Sequence, residues 1–271
     1  MRWVNVRPNR RTATLLGMLP LLVVLITYLF ASAARHAANP SDKLLPTPAA
    51  MVAAMRGLVV DADPLSGQVL FWADTAASLE RLCLGLGICT LSALLVGMVL
   101  GVLPSARATL GALVTTIAVI PPIALLPILF IVFGLGETAK VALVVIGIAP
   151  FLIRDVADHV AALPREQLIK AQTLGASSWQ LALRVALPQA LPRLIAGLRL
   201  SLGPAWVYLI SAEAIASDVG LGYRIFLVRR YLSMDIIIPY VAWISLLAIL
   251  MDVALKQLSR RTFVWAHQAD R

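Results

Sequence analysis

Residues 168–192 read LIKAQTLGASSWQLALRVALPQALP, a polar stretch set between two long apolar runs. Lys170, Gln172, Thr173, Gly175, Ser177, Ser178, Gln180 and Arg184 interrupt a chain of 271 residues that is 60% hydrophobic and only 14% charged. Soluble domains carry about 25% charged residues, and several runs here reach the roughly 20 apolar residues that a bilayer core requires. The fold class that follows is an all-α polytopic membrane protein. The polar stretch is then one of its water-facing connections, and its side of the membrane depends on the spans around it.

Six spans can be laid out. The basic start MRWVNVRPNRR leads into an apolar run from Ala13 to Phe30, with Pro20 inside it. A cleavable signal peptide is the competing reading, since ASAARHA follows. The run is longer than the usual apolar region of such a signal, so it reads as a retained first span entering from the cytoplasm. Residues 36–78 form an extracytoplasmic loop in which LLPTPAAMVAAM reads as a short amphipathic helix. A second span runs from about Leu79 to Leu103, with PSARA after it as a tight cytoplasmic turn. The third, Thr109 to Phe133, contains Pro121, Pro122 and Pro127, and must be bent or broken. After the outer turn GLGET, a fourth span covers Ala139 to Ile153. The polar loop at about 164–192 follows, then a fifth span from Leu194 to Ala216, the outer loop SDVGLGYRIFLVRRYLSM, and a sixth span from Ile236 to Leu255. The chain thus divides into a basic terminus with the first span (1–35), the outer loop (36–78), a core of five spans (79–258) and a cytoplasmic tail (259–271).

Positive charge supports this orientation. Cytoplasmic segments carry Arg10, Arg11, Arg107, Arg154, Arg165, Lys170, Arg184, Arg193, Arg260 and Arg261, and the outer segments carry fewer. Both termini are therefore expected inside. The net charge of +9 suits topology and anionic headgroups, not nucleic acid, because no basic domain stands outside the apolar runs. Cys83 and Cys89, six positions apart on one helix, point to different faces and cannot bridge. His36, His159 and His267 are scattered, so no metal site is expected.

Inside the polar loop the register predicts two short helices meeting at a glycine. Pro164 and Glu166 suit a helix start. Gly175 supplies the turn, Ser177 or Ser178 caps the next helix, and Pro188 and Pro192 close it. Such a pair, lying flat under the membrane, presents a knob to the cytosol.

The stretch resembles the EAA loop of binding-protein-dependent ABC importer permeases: Gly175, nine residues, then Val185-Ala186-Leu187-Pro188. It is especially similar to the nitrate/sulfonate/taurine group. LPTP, TAASLERL, PPIALLPILFIVFGLGE and SAEAIASDVGLGY carry the likeness through most of the chain from about Leu45. Where the family has Glu-Ala-Ala, this chain has Ile169-Lys170-Ala171, and the nearest acid is Glu166.

The resemblance implies a type I importer fold in the bacterial inner membrane. It makes Lys170, Ala171, Thr173, Leu174, Gly175, Ala176 and Ser177 the segment that couples to an ATPase. The chain lacks GxxxxGK[ST], so ATP and magnesium belong to that partner. Two ATPase copies, a second permease copy (most simply an identical one) and a periplasmic or lipid-anchored binding protein complete the assembly. The solute expected is a sulfonate, taurine, nitrate or a small nitrogen compound.

Candidate path or gate residues come from polarity within the spans. Glu213 is an ionisable group inside the fifth span. Ser78, Arg81 and Ser211 could join it, and Pro121 and Pro122 would shape the path by backbone geometry. Asp252 is expected to balance Lys256 one turn on, and Arg199 to snorkel inward. A stand-alone ion-coupled carrier or channel is the alternative. Such carriers pair interrupted spans in two halves, and here only Gly203-Pro204 offers a weak counterpart to the third span.

Overall fold

The computed structural model describes residues 9–40, 42–64 and 67–266, and among these every regular element is helical. Arg2, Arg7, His267 and Arg271 lie outside the described residues. The order is α1 (Arg10–Ala38), α2 (Pro48–Val60), α3 (Leu70–Ser92), α4 (Met98–Val102), α5 (Pro104–Val119), α6 (Leu126–Phe133), α7 (Glu137–Ala161), α8 (Arg165–Thr173), α9 (Ser178–Gln180), α10 (Leu187–Ala216), α11 (Leu221–Arg229) and α12 (Met234–Thr262).

Among the described residues four helices are long and apolar enough to cross a membrane: Arg11–Ala38, Leu70–Val102, Ser178–Ala216 and Met234–Thr262. They become five if α5 and α6, bent by 87°, count as one broken span. The expected six would add α7, whose 25 residues reach about 37 Å at helical rise but carry charges at both ends.

The break between α5 and α6 falls where the prolines require it. Ile120 and Pro121 are extended (ψ 127° and 113°), and a short 3-10 turn over Pro122–Leu125 re-enters the helix. An αR residue before a proline would press on its ring, so the chain turns a corner here.

The core is built around α7, which is packed by α3, α4, α5 and α10. Leu143, Val144, Leu152 and Val156 are fully buried there, with Leu82, Cys89, Leu194 and Leu209 from the neighbouring helices. Glycines let the helices approach so closely. A Cβ on Gly97 would lie 2.9 Å from the Ile153 carbonyl oxygen and 3.0 Å from Val156 Cβ. Membrane helices gain most of their attraction from such close packing. Gly97→Leu is therefore expected to prevent α4 from seating on α7. Size-exclusion chromatography in detergent should show aggregate in place of a single peak, and a monodisperse variant of wild-type thermal stability would contradict it.

Away from α7 the surface is apolar. The 18 most apolar consecutive residues of α1 include none that is buried, and among the described residues of this helix only Ser32 is buried. This helix is held at its far end by the Tyr28 hydroxyl, which donates to the Pro46 carbonyl (2.7 Å), by Ser32, which donates to the Leu45 carbonyl (2.9 Å), and by the Arg35–Asp42 ion pair.

Several sequence expectations change in detail. Residues 104–108 do not form a turn: Pro104 opens α5 directly, and Leu103 alone makes the elbow. Residues 221–229 of the outer loop are helical. The helix after Gly175 is not closed by Pro188 and Pro192. It runs on into α10 through a π-helical turn at Leu181–Ala186. That turn puts Pro188 in the first turn of α10, where its missing amide is tolerated, and the Gln189 side-chain Nε2 donates to the Val185 carbonyl (3.2 Å). Asp252 is claimed by Arg199 in a two-pronged pair (2.7 and 3.0 Å), not by Lys256. The planar guanidinium fork, reaching across from α10, makes two parallel bonds that a lysine one turn away does not.

Candidate functional site: an exposed helix turn and a buried ion cluster

The turn between α8 and α9 is fixed by local chemistry at both ends. Gly175 has φ +83°. Its N–H donates to the Gln172 carbonyl (2.9 Å), and the Ala176 N–H donates to the Ala171 carbonyl (3.0 Å). These two bonds form a Schellman motif, which closes a helix through a left-handed glycine. Two residues later Ser177 opens α9 with a capping box: its hydroxyl accepts from the Gln180 N–H (3.3 Å), and the Gln180 side chain accepts from the Ser177 N–H (2.9 Å). Thr173 donates back to the Ile169 carbonyl (2.7 Å).

The result is a rigid corner with apolar side chains on its outside. Leu174 is 89% exposed and Trp179 72% exposed, and Ile169 is exposed as well. Lys170, Thr173, Gly175 and Ser177 are exposed beside them, while Ala171 and Ala176 are half-buried. Large apolar side chains held out by a structured polar turn mark an interaction surface. The Gln189 amide donates to the Gln167 side chain (3.0 Å), so the corner is tied to α10.

At the opposite end of the bundle the structure brings Ser78, Arg81 and Glu213 together. Ser78 donates to Glu213 (2.8 Å), and Arg81 Nη1 donates to the same carboxylate (2.7 Å). Arg81 also pairs with Glu137 at the start of α7, and Lys140 Nζ reaches Glu137 at 2.9 Å. Ser78 and Glu213 are fully buried and Arg81 nearly so.

Three further residues of this cluster escaped sequence reasoning. Asp74 accepts from Arg224 (2.8 Å), from the Tyr240 hydroxyl (3.3 Å) and from the Gly220 N–H (2.9 Å). The only advance signal was a buried-helix aspartate and the paired glycines of DVGLGY. Those glycines are needed because the chain passes over the carboxylates. The Gly222 N–H donates to Glu213 and the Leu221 N–H to Ser78 (both 2.9 Å), and the Val219 carbonyl accepts from Arg81 (2.8 Å). Gly220, at φ +137°, has Glu213 Cδ only 2.7 Å from where a Cβ would stand. The cluster therefore clamps the entry of α11 onto α3, α7 and α10.

Ser211 and the two prolines are not part of it. Ser211 is half-buried and donates to the Val207 carbonyl within its own helix (2.7 Å). Pro121 is exposed and Pro122 half-buried at the α5–α6 corner. Among the described residues there is no group of three or more His, Cys, Asp or Glu placed to hold a metal.

Known proteins resemble this chain in sequence and fold. The family described as the binding-protein-dependent transport system inner membrane component matches residues 93–264. The taurine transport system permease protein of Escherichia coli is 35% identical over 72% of this chain and 70% of its own length. The bicarbonate transport system permease protein of Synechococcus elongatus is 31% identical over 68% of this chain and 66% of its own. A solved inward-facing structure of the MetNI methionine ABC transporter shares the fold, with a TM-score of 0.62 at 23% identity, covering 71% of this chain and 95% of that one. The chain belongs to the binding-protein-dependent transport system inner membrane component family, and it is a multi-pass inner-membrane permease subunit of an ABC importer.

Proposed function

We propose that the α8–α9 corner is the seat of an ATPase subunit, and that this chain moves a small anionic or zwitterionic solute, of the sulfonate or bicarbonate class, into the cell. The observation that carries the reading is the exposure of Leu174 and Trp179 on a turn locked by a Schellman motif and a capping box. An apolar anchor on a rigid turn fits a pocket in a partner at small entropic cost. ATP and magnesium are then bound by that partner. Two permease copies surround the path, two ATPases drive it, and a solute-binding protein loads it from outside. In this arrangement α7 is the sixth crossing segment and both termini are cytoplasmic.

The broken α5–α6 segment, shaped by Pro121 and Pro122, borders the path, with Ser211 on its flank. Ser78, Arg81 and Glu213 serve it from behind, as the anchor of the outer gate helix α11. Closure of the ATPases would draw two such corners together and tilt the packed helices as rigid bodies.

The test is co-purification with the ATPase in mild detergent. Wild type should carry the ATPase in equal number. Leu174→Asp, which sets a charge into the pocket, should weaken association by about 2–4 kcal/mol, a loss of at least thirtyfold, and Trp179→Ala should weaken it less. Full retention of the ATPase by both variants would remove the corner from this role.

A further inference from the structure

Two cavities share Leu100 and Arg107 in their walls, and the first of them reaches the α8–α9 corner. One, of about 370 Å³, sits between the Leu103 elbow, the end of α7 and the corner itself. The other, of about 220 Å³, sits between α5 and α7. Arg107 lines both. Arg165 lines the first and Arg154 the second. Among the described residues Asp158 is the one carboxylate on their walls: it pairs with Arg107 and lies 3.6 Å from Arg154 Nε. Among the described residues Arg165 enters no ion pair, and its neighbour Glu166 lines neither cavity. Gln172 adds a neutral donor to the first cavity.

Three arginines thus line the two cavities, Arg107 common to both, with the single carboxylate of Asp158 set against them. Their mutual repulsion is relieved by an anion, and the guanidinium fork matches oxyanions in particular. Asp155, which might have balanced the group, is held instead by Arg193 on α10 (2.5 and 2.9 Å). We propose that this basin binds a small oxyanion, a sulfonate or phosphate group carried by a free solute. The proposal rests on the permease reading for its side of the membrane and for the class of solute. Because the basin walls come from the elbow, the end of α7 and the α8–α9 corner, an anion bound there ties the corner to the helices it moves.

The experiment is saturation-transfer NMR on the permease–ATPase complex in nanodiscs, with ADP and magnesium saturating the nucleotide sites. Methanesulfonate is the probe, tetramethylammonium the cationic control and inorganic sulfate the competitor. The wild type should transfer saturation to methanesulfonate, not to tetramethylammonium, and sulfate should suppress the signal. Arg165→Gln in one cavity and Arg154→Gln in the other should each reduce it by about fivefold, the effect of losing one charge-assisted hydrogen bond. Equal transfer to the cation, or signals unchanged in both variants, would overturn the site. A signal present in phosphatidylcholine discs and abolished in phosphatidylglycerol discs would assign the oxyanion to a lipid headgroup and overturn the free solute. If methanesulfonate binds as expected to a permease that captures no ATPase, the docking role of the α8–α9 corner fails and the anion site stands.

Discussion

Replacing Glu213 with alanine is expected to release the α11 end of the bundle, at about 3–5 kcal/mol, the usual consequence of removing one partner from a buried ion pair. Three donors lose their acceptor at once: Arg81, Ser78 and the Gly222 N–H. Arg81 keeps Glu137, but that carboxylate is largely exposed and shares itself with Lys140. The entry of α11 loses one of its clamps, and limited proteolysis should cut between Ala216 and Arg230 in the variant and spare the wild type. Two companion variants separate charge from contact. Glu213→Gln keeps an acceptor for Ser78 and Gly222 and should lose less. Glu213→Leu with Arg81→Leu removes both charges, and should recover part of the stability because apolar pairs replace buried ion pairs with little penalty. Wild-type resistance to protease in Glu213→Ala would show that the cluster does not hold α11.

The second large effect is expected at Gly175. Its φ of +83° is open to glycine and strongly disfavoured for a β-branched residue, and nothing lies within 4 Å of the position a Cβ would take. Gly175→Val therefore meets no clash. It meets backbone strain of about 1–3 kcal/mol, which the chain relieves by abandoning the Schellman bonds and reorienting Leu174 relative to Trp179. The bundle should remain folded, with thermal stability close to wild type, while ATP hydrolysis by the assembled complex falls by about thirtyfold or more, as expected when an anchor residue leaves its pocket. Gly175→Asn is the control, because asparagine tolerates left-handed backbone, and it should retain most of the activity. Equal losses in the Val and Asn variants would mean that side-chain volume, not backbone conformation, matters at this position.

These two sites were legible in the sequence to very different degrees. The corner at Gly175 is built from bonds that span at most five residues, so the glycine, the serine cap and the polar face predicted it closely. The reading erred where that corner continues. Pro188 looked like a stop because proline ends an ordinary α-helix, and only the π-helical turn at Leu181–Ala186 lets the helix pass it. The broken third span was predicted for the same local reason that makes it: two prolines dictate the backbone of the residues before them.

The ion cluster was half legible. Glu213 and Arg81 stood out as charges in apolar surroundings, but Asp74 and Arg224 could not be paired by inspection, being 150 positions apart. Asp252 shows the same failure in reverse. Lys256, one turn away, was the natural partner by sequence, and Arg199 on another helix took its place.

The sequence by itself thus determined the solvent, the helices, the α8–α9 corner and the site of the break, because composition, proline and glycine act within a few residues. Which charges meet, which helix becomes the centre and how α11 is fastened were decided only by the tertiary structure. Those outcomes depend on which helix faces are brought together. A buried charge takes whatever opposite group the packing delivers within hydrogen-bond reach, because leaving it unpaired costs several kcal/mol.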